Sequence, residues 1–471
     1  MRGRRWFPVF LMLVLQPLCC RGEDALQQKA RAGLRKAVGF FREKVSLNGG
    51  YLWRYSADLK KKEGEGKVGD TTAWVQPPGT PYVGEAILAA YMATNDSYYL
   101  DAARETADAL LKAQLHSGGW DYRIEFDPAR RKKYAYRVDG PRSKKGRDVS
   151  VLDDNTTQAA LSFLIRFDKA TGFKEKAVHE ATAYALSSLL KAQCPNGAWT
   201  QVYRGPIDAK KYPVKTASYR KDDQHTRIKE YWELYTLNDN LLRDAVEALF
   251  LAAEVYGEKR YSEAALKAGD FLLLAQMPEP QPGWAQQYDY DMHPCWARKF
   301  EPPAITGGES QGAMVLLLDL YERTGKKAYL DAVGKALPYY KRSLLTDGRL
   351  ARFYELKTNK PLYFTRKYEL THSDADMPTH YSFKVGSGLA KIERRHKELE
   401  AKPWRPRNKS TRTKRPSAST VRKVLDAMDE RGAWVDEGAM RYWGKTDDTR
   451  KIIDPRTFVK NVRLLSAFVA E

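Results

Sequence analysis

NTTQAALSFLIRFDKATGFKEKAVHEATAYALSSLLKAQCPNGAWTQVY, residues 155–203, decides the architecture. Apolar residues recur at i, i+3 and i+4, a short polar turn interrupts them, and an alanine-rich second helix follows. The unit then ends on Leu-Leu-Lys-Ala-Gln, a turn, Gly and Trp, and a polar-aromatic strip. The same pattern spans residues 80–114, 238–276 and 310–345, with polar turns such as Ala93–Asp96 and Gly257–Lys259. Helix starts carry cap-forming residues: Thr80 before Pro81, Asn155, Asn238 or Asp239, and Ser310. The strip itself recurs as LLKAQLHSGGWDYRIEF (110–126), LLKAQCPNGAWTQVY (189–203) and LLLAQMPEPQPGWAQQY (272–288). Weaker echoes are GGYLWRY from Gly49 and TDGRLARFYEL from Thr346.

Repeats of this length predict an all-α fold, an (α/α) toroid or barrel of helical hairpins sending long loops to one face. Leu344–Phe383 reads as a small irregular or β cap over that face. Trp199, Trp284 and Tyr288 are expected to line a stacking trough for a sugar chain, because loops this long usually carry function.

Around this body, 24–390, the chain changes character. MRGRRWFPVFLMLVLQPLCCRGEDA combines a basic start with a short apolar run broken by Pro8 and Pro17, the pattern of a secretory signal over residues 1–23. An uncleaved anchor is the alternative. No other run approaches spanning length, so the expectation is a secreted or periplasmic protein, not integral to a membrane, and a monomer. From Lys391 to Lys423 there are thirteen Lys/Arg against three Asp/Glu, which reads as a basic, disordered linker over 391–423. Residues 424–471 are expected to add helices that pack back on the toroid. Residues 204–232 look like an insertion. Cys194 and Cys295 would pair in an oxidising compartment or stay as buried thiols; the spacing leaves both open.

The net charge of +21 calls for an anionic partner. Export and the lack of any zinc-finger, RRM or helix-turn-helix pattern argue against nucleic acid. An acidic polysaccharide fits better.

Three acidic-amide clusters open helices at the loop end: Asp153-Asp154-Asn155, Asn238-Asp239-Asn240 and Gly308-Glu309-Ser310. One such Asp is commonly a helix cap, but two at the same place in successive repeats suggest oxygens converging on a hard cation such as Ca²⁺. Arg298, Arg352 and Arg366 each sit amid aromatics beside an acid, a composition suited to holding carboxylates bidentately, with Lys299, Lys357 and Lys360 nearby.

Residues 53–383 resemble polysaccharide lyase family 10, the pectic acid lyases. The motifs carrying this are LLKAQCPNGAWTQVY, YTLNDNLL, GWAQQYDYDMHPCWARKFEPP and ARFYELKTNKPLYFTRKYEL. The resemblance implies an (α/α) toroid that cleaves polygalacturonate by calcium-assisted β-elimination. It makes Arg366 the catalytic base, Arg298 and Arg352 substrate-carboxylate arginines, Asp239 the calcium-site aspartate, and Asp154 another acid near the cleft. Two departures stand out: Arg366 precedes Lys367-Tyr368 where the family has Asp-Gly, and Gly-Ala-Trp-Thr at Gly197 replaces Gly-Gly-Trp-Pro. Two competing readings follow, a glycoside hydrolase using Asp154 and Asp239 and a polyuronate-binding protein without catalysis.

Overall fold

A computed structural model of the protein describes residues 18–142, 145–222, 227–405 and 415–470. The expected leader lies largely outside them. Four hairpins form where the periodicity places them: α2 (Thr80–Thr94) with α3 (Ser97–Ala113), α5 (Thr156–Ala170) with α6 (Lys176–Lys191), α7 (Leu241–Tyr256) with α8 (Lys259–Ala275), and α9 (Gly308–Thr324) with α10 (Lys327–Arg342). Before them runs α1 (Leu18–Phe40), and a single turn, α4 (Pro128–Arg131), interrupts the loop after α3. After them come α11 (Leu389–Glu400), α12 (Ala418–Asp426) and α13 (Pro455–Val469).

The inner row is α13, α2, α5, α7 and α9, each packed on the next, while α11 continues it against α9 and α10. α2 shows why it is inner: Val83, Ala86, Ile87, Leu88 and Ala90 are buried around most of its girth. α3 keeps one apolar face on α2 and turns Asp101, Asp108 and Lys112 outward. Asn95, Gly257 and Gly325 end inner helices in the left-handed region and reverse the chain at three of the four hairpins.

The repeated strip has a different job from the one expected. Gln114, Gln193 and Gln276 each donate through Nε2 to their own turn, at Gly118, Gly197 and Pro282 carbonyls, 3.0–3.1 Å away. Each also donates to the next outer helix, at Ala181, Ala264 and Ala332, 2.8–2.9 Å away. Trp120, Trp199 and Trp284 are wholly buried and donate from Nε1 back to Leu110, Leu189 and Leu272 of the preceding helix. Tyr288, also wholly buried, donates to Ala275 O. Trp199, Trp284 and Tyr288 are therefore core residues that close helix ends, and offer no face to a sugar. Gly197 is obligatory at its turn, because at φ +99° a Cβ would stand 2.0 Å from Lys267 O.

VLDAMDERGAW, running from α12 to Trp434, is a further copy, with Trp434 Nε1 donating to Val424 O at 2.8 Å. The expected linker is thus partly helix: residues 391–400 belong to α11 and 418–423 to α12, with 406–414 outside the described residues. Nor does the C-terminal region merely lean on the toroid, because α13 packs between α1 and α2 as part of it. Two starting hydroxyls do not cap their helices either. Thr80 and Ser310 accept from the strip backbone at Tyr51 N and Trp284 N.

The cap is an antiparallel sheet ordered Ala304–Thr306, Phe353–Glu355, Pro361–Phe364, Leu370–Thr371. It has a small core of its own around Phe300, Phe353, Leu362, Phe364 and Phe383. A second sheet, which the periodicity did not signal, joins Asp436–Glu437 and Lys451–Ile453 to Arg54–Ser56, Lys62–Gly64 and Gly66–Lys67. Cys194 and Cys295 are buried free thiols. No described helix is long and apolar enough to cross a membrane.

Candidate active site

The chemistry gathers where the inner helices begin. Short 3₁₀ turns, Asp153–Asn155 and Asn238–Asn240, precede α5 and α7. In each, two consecutive residues are left-handed: Asp154 and Asn155 (φ 49° and 58°), Asp239 and Asn240 (φ 48° and 59°). Asp and Asn tolerate this region better than other side chains with a Cβ, and such strain concentrates at functional sites. Asn155 and Asn240, which take the cap positions, make no side-chain cap bond. Instead the kinks bring Asp153, Asp154 and Asp239 together, each offering a carboxylate oxygen, all within 4.8 Å of one another.

Neighbours hold the cluster in place. Gln76 Nε2 donates to Asp154 Oδ2 at 2.7 Å, and Tyr122 OH to Asp153 Oδ2 at 3.2 Å. Asn238 Nδ2 donates to Asp239 Oδ2 at 2.7 Å and Asp153 Oδ1 at 3.4 Å. Burial, then the Asp239 charge, pushes Asp153 up to about 6. Burial, then the Asp153 and Asp239 charges, pushes Asp154 up to about 7. Asp239 is raised too, by the protein around it, although Arg298 and Arg352 pull the other way.

Those two arginines stand across the mouth. Arg298 grips Glu301 with two bonds, Nε to Oε2 at 2.9 Å and Nη2 to Oε1 at 2.6 Å. Tyr381 OH donates to the same Glu301 Oε1 at 3.0 Å and accepts from Arg352 Nη1 at 3.2 Å. Arg352 Nη1 also reaches Glu309 Oε1 at 3.2 Å. Burial works against the Glu301 charge, yet the Arg298 guanidinium holds it below the usual range. Glu309, in the first turn of α9, is raised by burial despite Arg352.

The residues suit a hard divalent cation. Three carboxylates converge, and beside them the buried Asn238 Oδ1 has no hydrogen-bond partner, an oxygen donor left over. Arg298 and Arg352 carry positive charge to the opposite side, where an anionic sugar carboxylate can be met.

The expected residues divide sharply. Asp154, Asp239, Arg298 and Arg352 share one electrostatic field. Lys299 is exposed on the cap side, its Nζ 3.4 Å over the Tyr368 ring. Arg366 sits on the cap turn between Pro361–Phe364 and Leu370–Thr371, with its side chain 73% exposed and paired with Asp376 at 3.1 Å. That turn packs through Tyr368 on Phe300, so Arg366 is on the rim of the site and outside its charge cluster. Trp199, Trp284 and Tyr288 lie in the core. Sequence reading missed Gln76, Tyr122 and Tyr381, and gave Glu301 no role. Only Tyr122 carried a signal, as the strip residue two after Trp120.

Residues 127–350 match the family model described as pectic acid lyase. No curated protein sequence matches the chain. Among solved structures, a family 10 polysaccharide lyase from Cellvibrio cellulosa is 21% identical, with 68% of this chain and 97% of that one covered and a TM-score of 0.47. A mutant of that family 10 lyase, in complex with trigalacturonic acid, is 20% identical, with 68% and 98% covered and a TM-score of 0.47. Cellobiose 2-epimerase from Bacillus thermoamylovorans is 13% identical over 95% of this chain and 99% of its own, again with a TM-score of 0.47. The segment similar to the pectic acid lyase model, residues 127–350, is the one that carries Asp153, Asp154, Asp239, Arg298 and Glu309.

Proposed function

We propose that the protein is an exported, monomeric lyase that cleaves polygalacturonate by calcium-assisted β-elimination. The observation that carries this reading is the pairing, at one mouth, of a three-carboxylate cluster with the Arg298 and Arg352 guanidiniums. Neutral sugars need no such carboxylate clamp, which weighs against a hydrolase using Asp154 and Asp239.

In the reaction a base removes the proton on C5, the electrons form the C4–C5 double bond, and the C4–O bond breaks, the leaving oxygen taking up a proton. Negative charge builds on the uronate carboxylate. Arg298 and Arg352 meet that charge from one side. Asp153, Asp154 and Asp239, with Asn238 Oδ1, would hold calcium, which when bound supplies positive charge on the other side. Glu301 and Glu309 fix the two arginines and Tyr381 ties the pairs together, so little reorganisation is left for the moment of reaction.

Arg366 is the proposed base and has to turn in from Asp376 for that role. A guanidine base calls for a desolvated, cation-rich setting, and the present position of Arg366 favours a second reading, polyuronate binding without turnover. Absorbance of the unsaturated uronate, followed on polygalacturonate with calcium and with chelator, separates the two. A rise that chelator abolishes is expected. Binding without any rise, on every acidic glycan tried, overturns the lyase.

A further inference from the structure

A second pocket lies next to the acid cluster and outside residues 127–350. Pro77 and Pro78, just before α2, and Tyr82 in its first turn form its floor. Val459, Arg456, Lys460 and Arg463 of α13 form its wall, around a cavity of about 350 Å³. That volume is in the range of small-ligand sites, roughly 300–1,000 Å³.

The chemistry of the wall is specific. The three cations are spaced i, i+4 and i+7, so α13 presents them on one face. Arg463 is tied to Glu85 at 2.8 Å, and Arg456 more loosely to Asp454 at 3.5 Å. Among the described residues, Lys460 has no carboxylate partner, so the pocket keeps net positive charge. The floor is lined by two prolines and a tyrosine, an apolar surface against which the apolar face of a sugar ring can pack.

The pocket also shares a wall with the acid cluster. Gln76, which holds Asp154, is followed directly by Pro77 and Pro78. Tyr82 OH accepts from Asn155 Nδ2 at 3.4 Å, next to Asp154. A chain lying across Asp154 and Asp239 and leaving over α2 would therefore reach α13.

We infer that this pocket is an additional subsite for an anionic sugar residue, a uronate of the same polysaccharide, held by Lys460 and Arg456 over the Pro77-Pro78-Tyr82 floor. The inference rests on the acidic-polysaccharide reading and extends the groove beyond residues 127–350 into α13.

Calorimetry with a galacturonate dimer and with long polygalacturonate tests it, using the full chain and the double variant Lys460→Glu/Arg456→Glu. Both side chains are exposed, and equal melting temperatures would confirm that the fold is kept. Affinity for the long chain should weaken about tenfold and become less salt-dependent, with dimer affinity unchanged. Fully methyl-esterified chains should bind both proteins alike. Equal affinity of the two proteins for long polygalacturonate overturns the subsite, and so does an equal loss on the esterified chain. The binding readout judges the pocket, whereas the absorbance readout judges the lyase, so the two can fail separately.

Discussion

Asp154 is a carboxyl whose surroundings oppose its charge. Held at about 7 by burial and by the Asp153 and Asp239 charges, it binds a proton more tightly in the fold than an ordinary aspartate, near 3.9, does in the unfolded chain. The stability this adds is full below about pH 4 and is lost as pH rises through about 7. The calcium-free protein should therefore melt at progressively lower temperature across that window, and Asp154→Asn should flatten the slope; a melting series in chelator checks it. Calcium affinity should run the other way, growing from pH 6 upward as Asp153 and Asp154 ionise. At neutral pH, Asp239→Asn should weaken calcium at least tenfold by calorimetry, about 1.4 kcal/mol, with no loss of melting temperature. For Arg366→Ala the exposed position predicts an unchanged melting temperature, and the base role predicts about a hundredfold loss of turnover or more with polygalacturonate affinity retained. Turnover at the parent rate would place the base elsewhere. The acidic residues were legible because their clusters recur at helix starts. The exposed position of Arg366 was not, because a linear motif says nothing about which way a cap turn faces. Tyr381 joins the site only because the Phe353 strand and the Phe383 segment pack together in the cap.

At the scale of the element, the repeat was legible and its purpose was not. The Leu-Leu-x-Ala-Gln pattern located the ends of three outer helices, α3, α6 and α8, since a helix stripe shows in periodicity. A Gly-Trp strip reads alike whether its ring faces a sugar or the core, and only the tertiary structure shows each Trp Nε1 taken by a carbonyl ten to twelve residues back. The consequence is measurable. Trp199→Phe should lower stability by about 1–3 kcal/mol, through an unpaired Leu189 carbonyl and lost contact, with KM for polygalacturonate unmoved. A stacking role would show the reverse. Gln114→Ala, which releases two buried carbonyls at once, should cost a similar amount in urea melts. The second sheet escaped the sequence reading because its strands are two or three residues long, too short to show alternation, and come from distant parts of the chain.

Over the whole molecule, residues that look peripheral in the sequence extend the inner row of helices. α13 buries Phe458, Val459, Val462, Leu465, Phe468 and Val469 between α1 and α2. A chain truncated before Asp454 should accordingly fail to give a cooperative thermal transition or a protease-resistant core, whereas an accessory helix pair could be removed with both intact.

The pairing of α1 with α13 has a further bearing on how the protein is made. Arg31 Nη2 donates to Val469 O across 438 residues of chain, and the apolar face of α1, with Leu26, Ala30 and Leu34, finds its cover on α13 and α12. α1 leaves the ribosome early and α13 late. At about 5–20 residues per second, translation leaves that greasy face uncovered for roughly 20–90 seconds. A nascent chain in this state is a client for holdase chaperones until α13 emerges.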